Sequence, residues 1–175
     1  MTTPARTSLL DAFNELVVER QYQDIHISDI IHRADVSRST FYEHFGSKEL
    51  LLKQTLVSIL SPLAPASCGA TSLDVLERIV MHLSDVRSVA QVYFRSPLLE
   101  IVTELLSKEI QETLETNQES ATPFVPANLL ATQLAAGTLG LIKAWLAMSV
   151  ELDAADVAKQ ILIGSRALIE SSANS

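Results

Sequence analysis

The 175-residue chain lacks most of what marks a specialised protein class. A single cysteine, Cys68, leaves no disulfide framework and no cysteine-built zinc site. The four histidines, His26, His32, His44 and His82, show no metal-ligand spacing, so no metal is expected. Five glycines and six prolines are too few for a collagen-like, linker-like or disordered chain. There is no Gly-rich phosphate loop, no HExxH and no GxSxG, so neither an enzyme nor a bound cofactor is expected. Basic residues are the minority: 13 Lys and Arg stand against 21 Asp and Glu, a net charge of −8. Averaged over the whole chain, that balance disfavours nucleic acid as a partner. The most apolar stretch, Leu129 to Ile142, contains Thr132, Gln133 and Thr138 and stops at Lys143 after 14 residues. A membrane span needs about 20, so a buried or interface helix fits better. The start, MTTPARTSLL, has one Arg and no long apolar stretch, so no secretory signal is read and a cytoplasmic location is expected.

What the chain does have is apolar residues, 47% of the total, set at helical spacing. Leu9, Leu10, Phe13, Leu16 and Val17 make one stripe; Asp11, Glu15 and Glu19 make a second, away from it. This predicts a first amphipathic helix over 6–20. Tyr22, Ile25 and Ile27 form a short connection. Ser28 is placed to cap a helix over 29–34, Asp35-Val36 to turn, and Ser37 to cap a helix over 38–45. Gly46 is a helix stop, and Ser47 caps a fourth helix over 48–60. Pro62, Pro65, Cys68 and Gly69 in SPLAPASCGA then predict a break between two domains.

Further helices follow. Thr71-x-x-Asp74 resembles a capping box, another helix spans about 88–94, and Ser96-Pro97 opens one running to about 115. After the polar segment TNQESATP, Pro126 opens a long apolar helix to about Ser149. Asp153-x-x-Asp156 caps a last helix to about Ser171. No stretch has the period-two alternation of a sheet, so the fold class is all-α.

The informative segment is SDIIHRADVSRSTFYEHFGSKELLL, residues 28–52. Its second helix is too short to be stable alone. Phe41 and Phe45 can pin it to its neighbours, leaving Arg38, Ser39, Thr40, Tyr42 and His44 on the free side, with Lys48 at the start of the next helix. A small polar, cationic helix face on a rigid three-helix unit suits a major groove. The capped helix starts at Ser28 and Ser37 can add backbone N–H contacts to phosphate. Charge is partitioned to match. Residues 1–55 carry 6 basic and 8 acidic side chains, residues 56–175 carry 7 and 13, and the window 37–48 sets Arg38 and Lys48 against Glu43 alone.

At these residues the chain resembles the TetR family of bacterial transcriptional regulators. The match runs from Leu9 to Leu52 through Tyr22, Ile27-Ser28-Asp29-Ile30, Ala34-Asp35-Val36-Ser37 and Ser39-Thr40-Phe41-Tyr42-x-His44-Phe45-x-Ser47-Lys48-Glu49-x-Leu51. Two positions depart from the family pattern, Gln21 and Asp35 standing where the family usually has Gly. The resemblance implies a three-helix helix-turn-helix DNA-binding domain over 1–50. A helical ligand-binding and dimerisation domain would follow over 51–175. It implies a homodimer, a double-stranded DNA operator, a small-molecule effector and action as a repressor. By the same match Tyr42 and Lys48 clamp phosphates, Arg38, Ser39 and Thr40 read bases, and Ser28 contacts the backbone. His44 is either a phosphate contact or an ordinary surface histidine.

In the C-terminal part, Ala131, Ala135, Ala136, Gly137, Gly140, Ala144 and Ala147 make the long helix either a core helix or a close-packed dimer seam. With the last helix it would build an intermolecular four-helix bundle, as the resemblance favours. The candidate seam residues are Leu134, Gly137, Leu141, Trp145, Ile161 and Leu168, Trp145 being equally readable as core. The effector cavity implied by the resemblance has His82, Gln91, Tyr93, Arg95 and Thr103 as its polar candidates. The competing reading is a helical dimeric interaction or sensor protein without specific DNA binding. It leaves the polar face from Arg38 to Lys48 unexplained.

Overall fold

A computed structural model describes residues 3–95, 98–117, 125–148 and 152–173. Among the described residues the secondary structure is helix and turn, with no strand. The chain separates into two compact units, Met1–Val57 and Ser58–Ser175.

The first unit begins with α1, Pro4–Glu19, entered through Thr3, whose hydroxyl accepts from the Arg6 amide. The apolar stripe is buried as expected, at Leu9, Ala12, Phe13, Leu16 and Val17. A 3-10 turn, Tyr22–Asp24, leads to α2, Ile27–Arg33. Ser28 does not cap this helix. The chain enters two residues earlier than expected, at His26, whose amide donates to the Asp29 carboxylate at 2.8 Å. A carboxylate in the first turn satisfies an orphan N–H better than a hydroxyl and also suits the helix dipole, which explains the shift.

Asp35 then takes φ +52°, the left-handed conformation that Asp tolerates better than most residues. Helix α3, Arg38–His44, follows, capped by the Ser37 hydroxyl on the Thr40 amide at 3.1 Å. Gly46, at φ +71°, reverses the chain into α4, Lys48–Ser67, where the Ser47 hydroxyl accepts from the Leu50 amide at 3.2 Å. Phe41 and Phe45 both lie in the core of this unit.

Helix α4 runs past its expected end at residue 60. It continues through Pro62 and Pro65 to Ser67. Each internal proline loses one backbone hydrogen bond and costs about 3 kcal/mol. Burial offsets this: Leu60, Leu63, Ala64 and Ala66 are buried, and a fully buried leucine contributes about 1.5–3 kcal/mol. The helix ends instead at Gly69, φ +68°, where the Gly69 amide reaches Ala66 O and the Ala70 amide reaches Pro65 O at 2.9 Å.

The second unit adds five helices: α5, Leu73–Asp85; α6, Arg87–Tyr93; α7, Leu98–Asn117; α8, Ala127–Ala147; and α9, Ala154–Ala173. The residue before α5 is Ser72 rather than Thr71, and its side chain makes no capping bond. Before α9 the Asp153 carboxylate accepts from the Ala155 amide, as the sequence predicts. The expected Ser96-Pro97 helix start, the helix end at Ser149 and the polar segment from residue 118 lie outside the described residues.

Helix α7 packs on α8, α5 on α9, and α8 on α9. By length and composition α8 could cross a membrane. Here it is packed within the helical unit, with Leu130, Leu134, Leu139, Ile142 and Leu146 buried against protein. Arg87 closes its end: the guanidinium donates to Trp145 O, Leu146 O and Met148 O, and Gln91 Nε2 donates to Leu146 O at 2.7 Å.

Candidate nucleic-acid interface

The first unit holds α3 as a rigid face. Phe41 is fully buried and Phe45 nearly so, and their rings are 6.2 Å apart. Arg6 stacks over Phe45 at 5.6 Å and donates to Gln54 Oε1 at 2.8 Å, binding the start of α1 to α4. Arg33 at the end of α2 bonds Glu15 at 3.0 Å and Glu19 at 2.8 Å on α1. That pairing holds the Glu19 carboxyl below its usual range, chiefly through the hydrogen bond from Arg33. Arg33 is therefore committed to the fold, and its charge is neutralised locally.

On the outer side of α3 the residues expected there are exposed or half-exposed. Ser37 Oγ lies 2.7 Å from Ser39 Oγ and 2.8 Å from Thr40 Oγ1, so the three hydroxyls form one connected donor and acceptor set. Arg38 projects from the first helical position and lies against Tyr42, which is 44% exposed. His44 Nε2 is 3.2 Å from Thr3 Oγ1, which leaves one ring nitrogen for an outside partner. Ser28, in the first turn of α2, is exposed.

Lys48 has a role that sequence reasoning missed. Its ammonium lies 4.3 Å from the centre of the Tyr22 ring and donates to Tyr22 O at 2.9 Å and Ile25 O at 2.7 Å. An ammonium has three N–H donors, so one remains. The Lys48 side chain lines an open recess of about 430 Å³ together with Ser28, Arg38 and Ser47. The recess gathers six polar side chains from the start of α2, α3 and the start of α4, among them the cations Arg38 and Lys48 and the acidic Glu49. The signal available in sequence was an aromatic, Tyr22, in the connection before α2. Nothing in the spacing tied it to Lys48. Burial and the neighbouring Glu49 push the Tyr22 phenol up to about 12, so it stays neutral under the ammonium.

The five effector candidates do not come together. His82 and Arg95 are exposed, and Tyr93 is buried, which pushes its phenol well above the ordinary value. Gln91 is spent on Leu146 O, while the Thr103 hydroxyl donates to Leu99 O at 2.7 Å. Thr103 lines an open groove between α7 and α8 with Glu100, Glu104, Ser107, Lys108 and Thr132.

The seam candidates divide as well. Leu134, Trp145 and Ile161 are buried inside their own unit, so they have little surface left for a second chain. Trp145 resolves as core: its Nε1–H donates to Leu152 O at 3.0 Å, and Arg87 lies 6.0 Å from its ring. Gly137, Leu141 and Leu168 keep exposed surface and line a groove between α8 and α9. A Cβ added at Gly137, Gly140 or Gly164 would meet nothing within 4 Å. Elsewhere on the same two helices Leu129 and Ile163 are more than half exposed.

Residues 9–55 match the family of bacterial regulatory proteins described as tetR. The matched stretch lies wholly within the N-terminal unit, which is similar to that family. The TetR-type segment is 43% identical over 53 residues to a Bacillus subtilis (strain 168) protein described as an uncharacterized HTH-type transcriptional regulator, YxbF. That match takes in 30% of this chain and 14% of the other. It is 36% identical over 61 residues to the HTH-type transcriptional repressor DhaR of Mycobacterium sp. (strain GP1), covering 35% of this chain and 31% of the repressor. The chain thus spans less than a third of the length of either relative. The likeness in fold reaches further. A TetR-family regulator from Streptomyces coelicolor superposes with a TM-score of 0.64 over 95% of each chain, at 24% identity. At that identity the likeness establishes a shared fold for the whole chain.

Proposed function

We propose that the chain is a transcriptional regulator that binds double-stranded DNA through α3, as a homodimer on a near-palindromic operator. The observation that carries the proposal is the braced outer face of α3 beside the Lys48 recess. It supplies two cations, three linked hydroxyls and an exposed tyrosine on a helix pinned to its unit by the buried Phe41 and Phe45. In this reading Lys48, Tyr42, Ser28, Ser37 and His44 contact the DNA backbone, and Arg38, Ser39 and Thr40 face base edges. A dimer would set its two α3 helices about 34–36 Å apart, one turn of the duplex.

The α8–α9 groove is the surface we assign to the partner copy. Three glycines with empty space above them allow a second helix pair to approach closely, and Leu129 and Ile163 would be covered by it. Repression is favoured by the likeness to DhaR, itself described as a repressor. Release by a small-molecule effector follows if the effector binds a state of weaker DNA affinity more tightly than the other. A DNA-binding function places the protein in the cytoplasm, with no membrane partner.

The test is selection of duplexes from a random pool, followed by mobility shift. The wild-type chain is expected to retain a near-palindromic site. The Tyr42→Ala, Lys48→Ala double variant should bind every duplex more weakly and show a shallower salt dependence. Full affinity in that variant would overturn the proposal.

A further inference from the structure

Arg38 and Tyr42 are one helical turn apart on the exposed side of α3, and they are in contact. The Arg38 guanidinium carbon lies 5.7 Å from the centre of the Tyr42 ring, and its Nη2 donates to the Tyr42 hydroxyl at 3.4 Å. The Tyr42 ring is in turn held edge-on against Phe41, with centroids 5.5 Å apart and planes at 89°. Phe41 is fully buried. A line of contacts therefore runs from the core of the unit to the exposed Arg38.

An arginine free in water samples many rotamers and loses that freedom when it meets a base edge; a tyrosine has two side-chain torsions and loses little. The direction of the hydrogen bond adds a second consequence. Because Tyr42 Oη accepts from Arg38, its own proton is turned away from Arg38, free to be donated to an outside oxygen. We infer that Tyr42 is a positioning residue for Arg38, holding the guanidinium ready for a base edge while its hydroxyl proton goes to a phosphate, so that backbone registration and base choice are coupled. This rests on the DNA-binding reading above. The chemistry required of the partner is an anionic phosphate oxygen and a base-edge acceptor, both within reach of one helical turn.

Two measurements test the inference. The first needs no DNA. In the free protein, NMR relaxation at Arg38 Nε should report an ordered side chain in the wild type and in Tyr42→Phe, which keeps the ring face. In Tyr42→Ala it should report a disordered one. Equal order in all three overturns the inference. The second measures binding to a selected duplex and to variants at the one base pair whose preference Arg38→Ala abolishes. Tyr42→Ala should lose about two- to fivefold of that preference, the range of an exposed cation–π contact. In the Arg38→Ala background it should change the preference no further. A uniform weakening across all duplexes, with the preference intact and the two effects additive, would make Tyr42 an independent phosphate contact and overturn the coupling alone. A wild-type chain that selects no duplex overturns the DNA-binding reading together with this one. Both residues are exposed, so unchanged circular dichroism in each variant separates these outcomes from misfolding.

Discussion

Lys48→Met isolates a role that was invisible in the sequence. Lys48 occupies the first position of α4, where a cation opposes the helix dipole by about 0.3–1 kcal/mol. Its presence there needs a compensating partner, and the two carbonyls at Tyr22 and Ile25 provide one. Hydrogen bonds from a charged donor contribute about 1.5–3 kcal/mol each, and these lie toward the low end because the group is only partly buried. The contact with the Tyr22 ring adds about 0.5–1 kcal/mol. The carbonyls regain some water once the ammonium is gone, and the dipole penalty is relieved. The expected net loss is about 2 kcal/mol, felt at the 3-10 turn and the start of α2.

Methionine keeps the length and apolar stem of the side chain, so the comparison reads the ammonium. The assay is native-state hydrogen exchange. Amides of the first unit, Ile25 and Ile30 among them, should exchange about thirtyfold faster in Lys48→Met, the factor for 2 kcal/mol. Lys53→Met, on the exposed side of α4, should leave the same amides unchanged. Identical exchange in Lys48→Met and wild type would refute the bracing role and leave Lys48 as a solvent-facing charge.

Two further outcomes are expected. Gly137→Trp fills the α8–α9 groove where a Cβ meets nothing within the chain. It should leave helicity intact and shift sedimentation from dimer to monomer, whereas an unchanged dimer would move the interface elsewhere. Arg33→Gln removes the partner that depresses the Glu19 pKa, so the wild type should hold a stability advantage that depends on pH. A depressed carboxyl stabilises the fold above its unfolded value, near 4.5, and loses that contribution as pH falls through the lower folded value. Thermal melts should therefore separate the two proteins at pH 7 and converge in acid. A gap that persists at low pH would mean the ion pair is not its source.

Much of the first unit is legible locally. The stripe of α1, the Ser37 cap, the turn at Asp35 and the stop at Gly46 follow from spacing and backbone preference within a few residues, where the competing conformations are few. The outer face of α3 follows by elimination once Phe41 and Phe45 take the core. Where two local signals compete, the sequence misleads. Ser28 and Asp29 are both capping residues, and the choice of His26 as entry point depends on which side chain reaches back.

The prolines of α4 are the clearest limit. Read alone, Pro62 and Pro65 end a helix; in the fold, the leucines and alanines around them are buried, and packing outweighs the lost hydrogen bonds. The sequence pattern around Trp145 suits core and interface equally; the indole N–H bonded to Leu152 O within its own unit makes it core. The scattering of His82, Gln91, Tyr93, Arg95 and Thr103 was equally beyond reach, since which helix faces converge is a property of packing.

The scarcity of basic charge carries the same division. Spacing and composition are enough to establish an all-helical chain, a three-helix unit at its start, and a slightly positive window within an acidic whole. Only the tertiary structure decided which cations remain available. Arg33 is consumed by Glu15 and Glu19, Arg6 by Gln54 and Phe45, and Arg87 by the end of α8. Arg38 stays outside, and Lys48 keeps one donor free. The reason is physical. A charge count is a sum over residues, whereas a partner meets only those charges that the fold has not already paired.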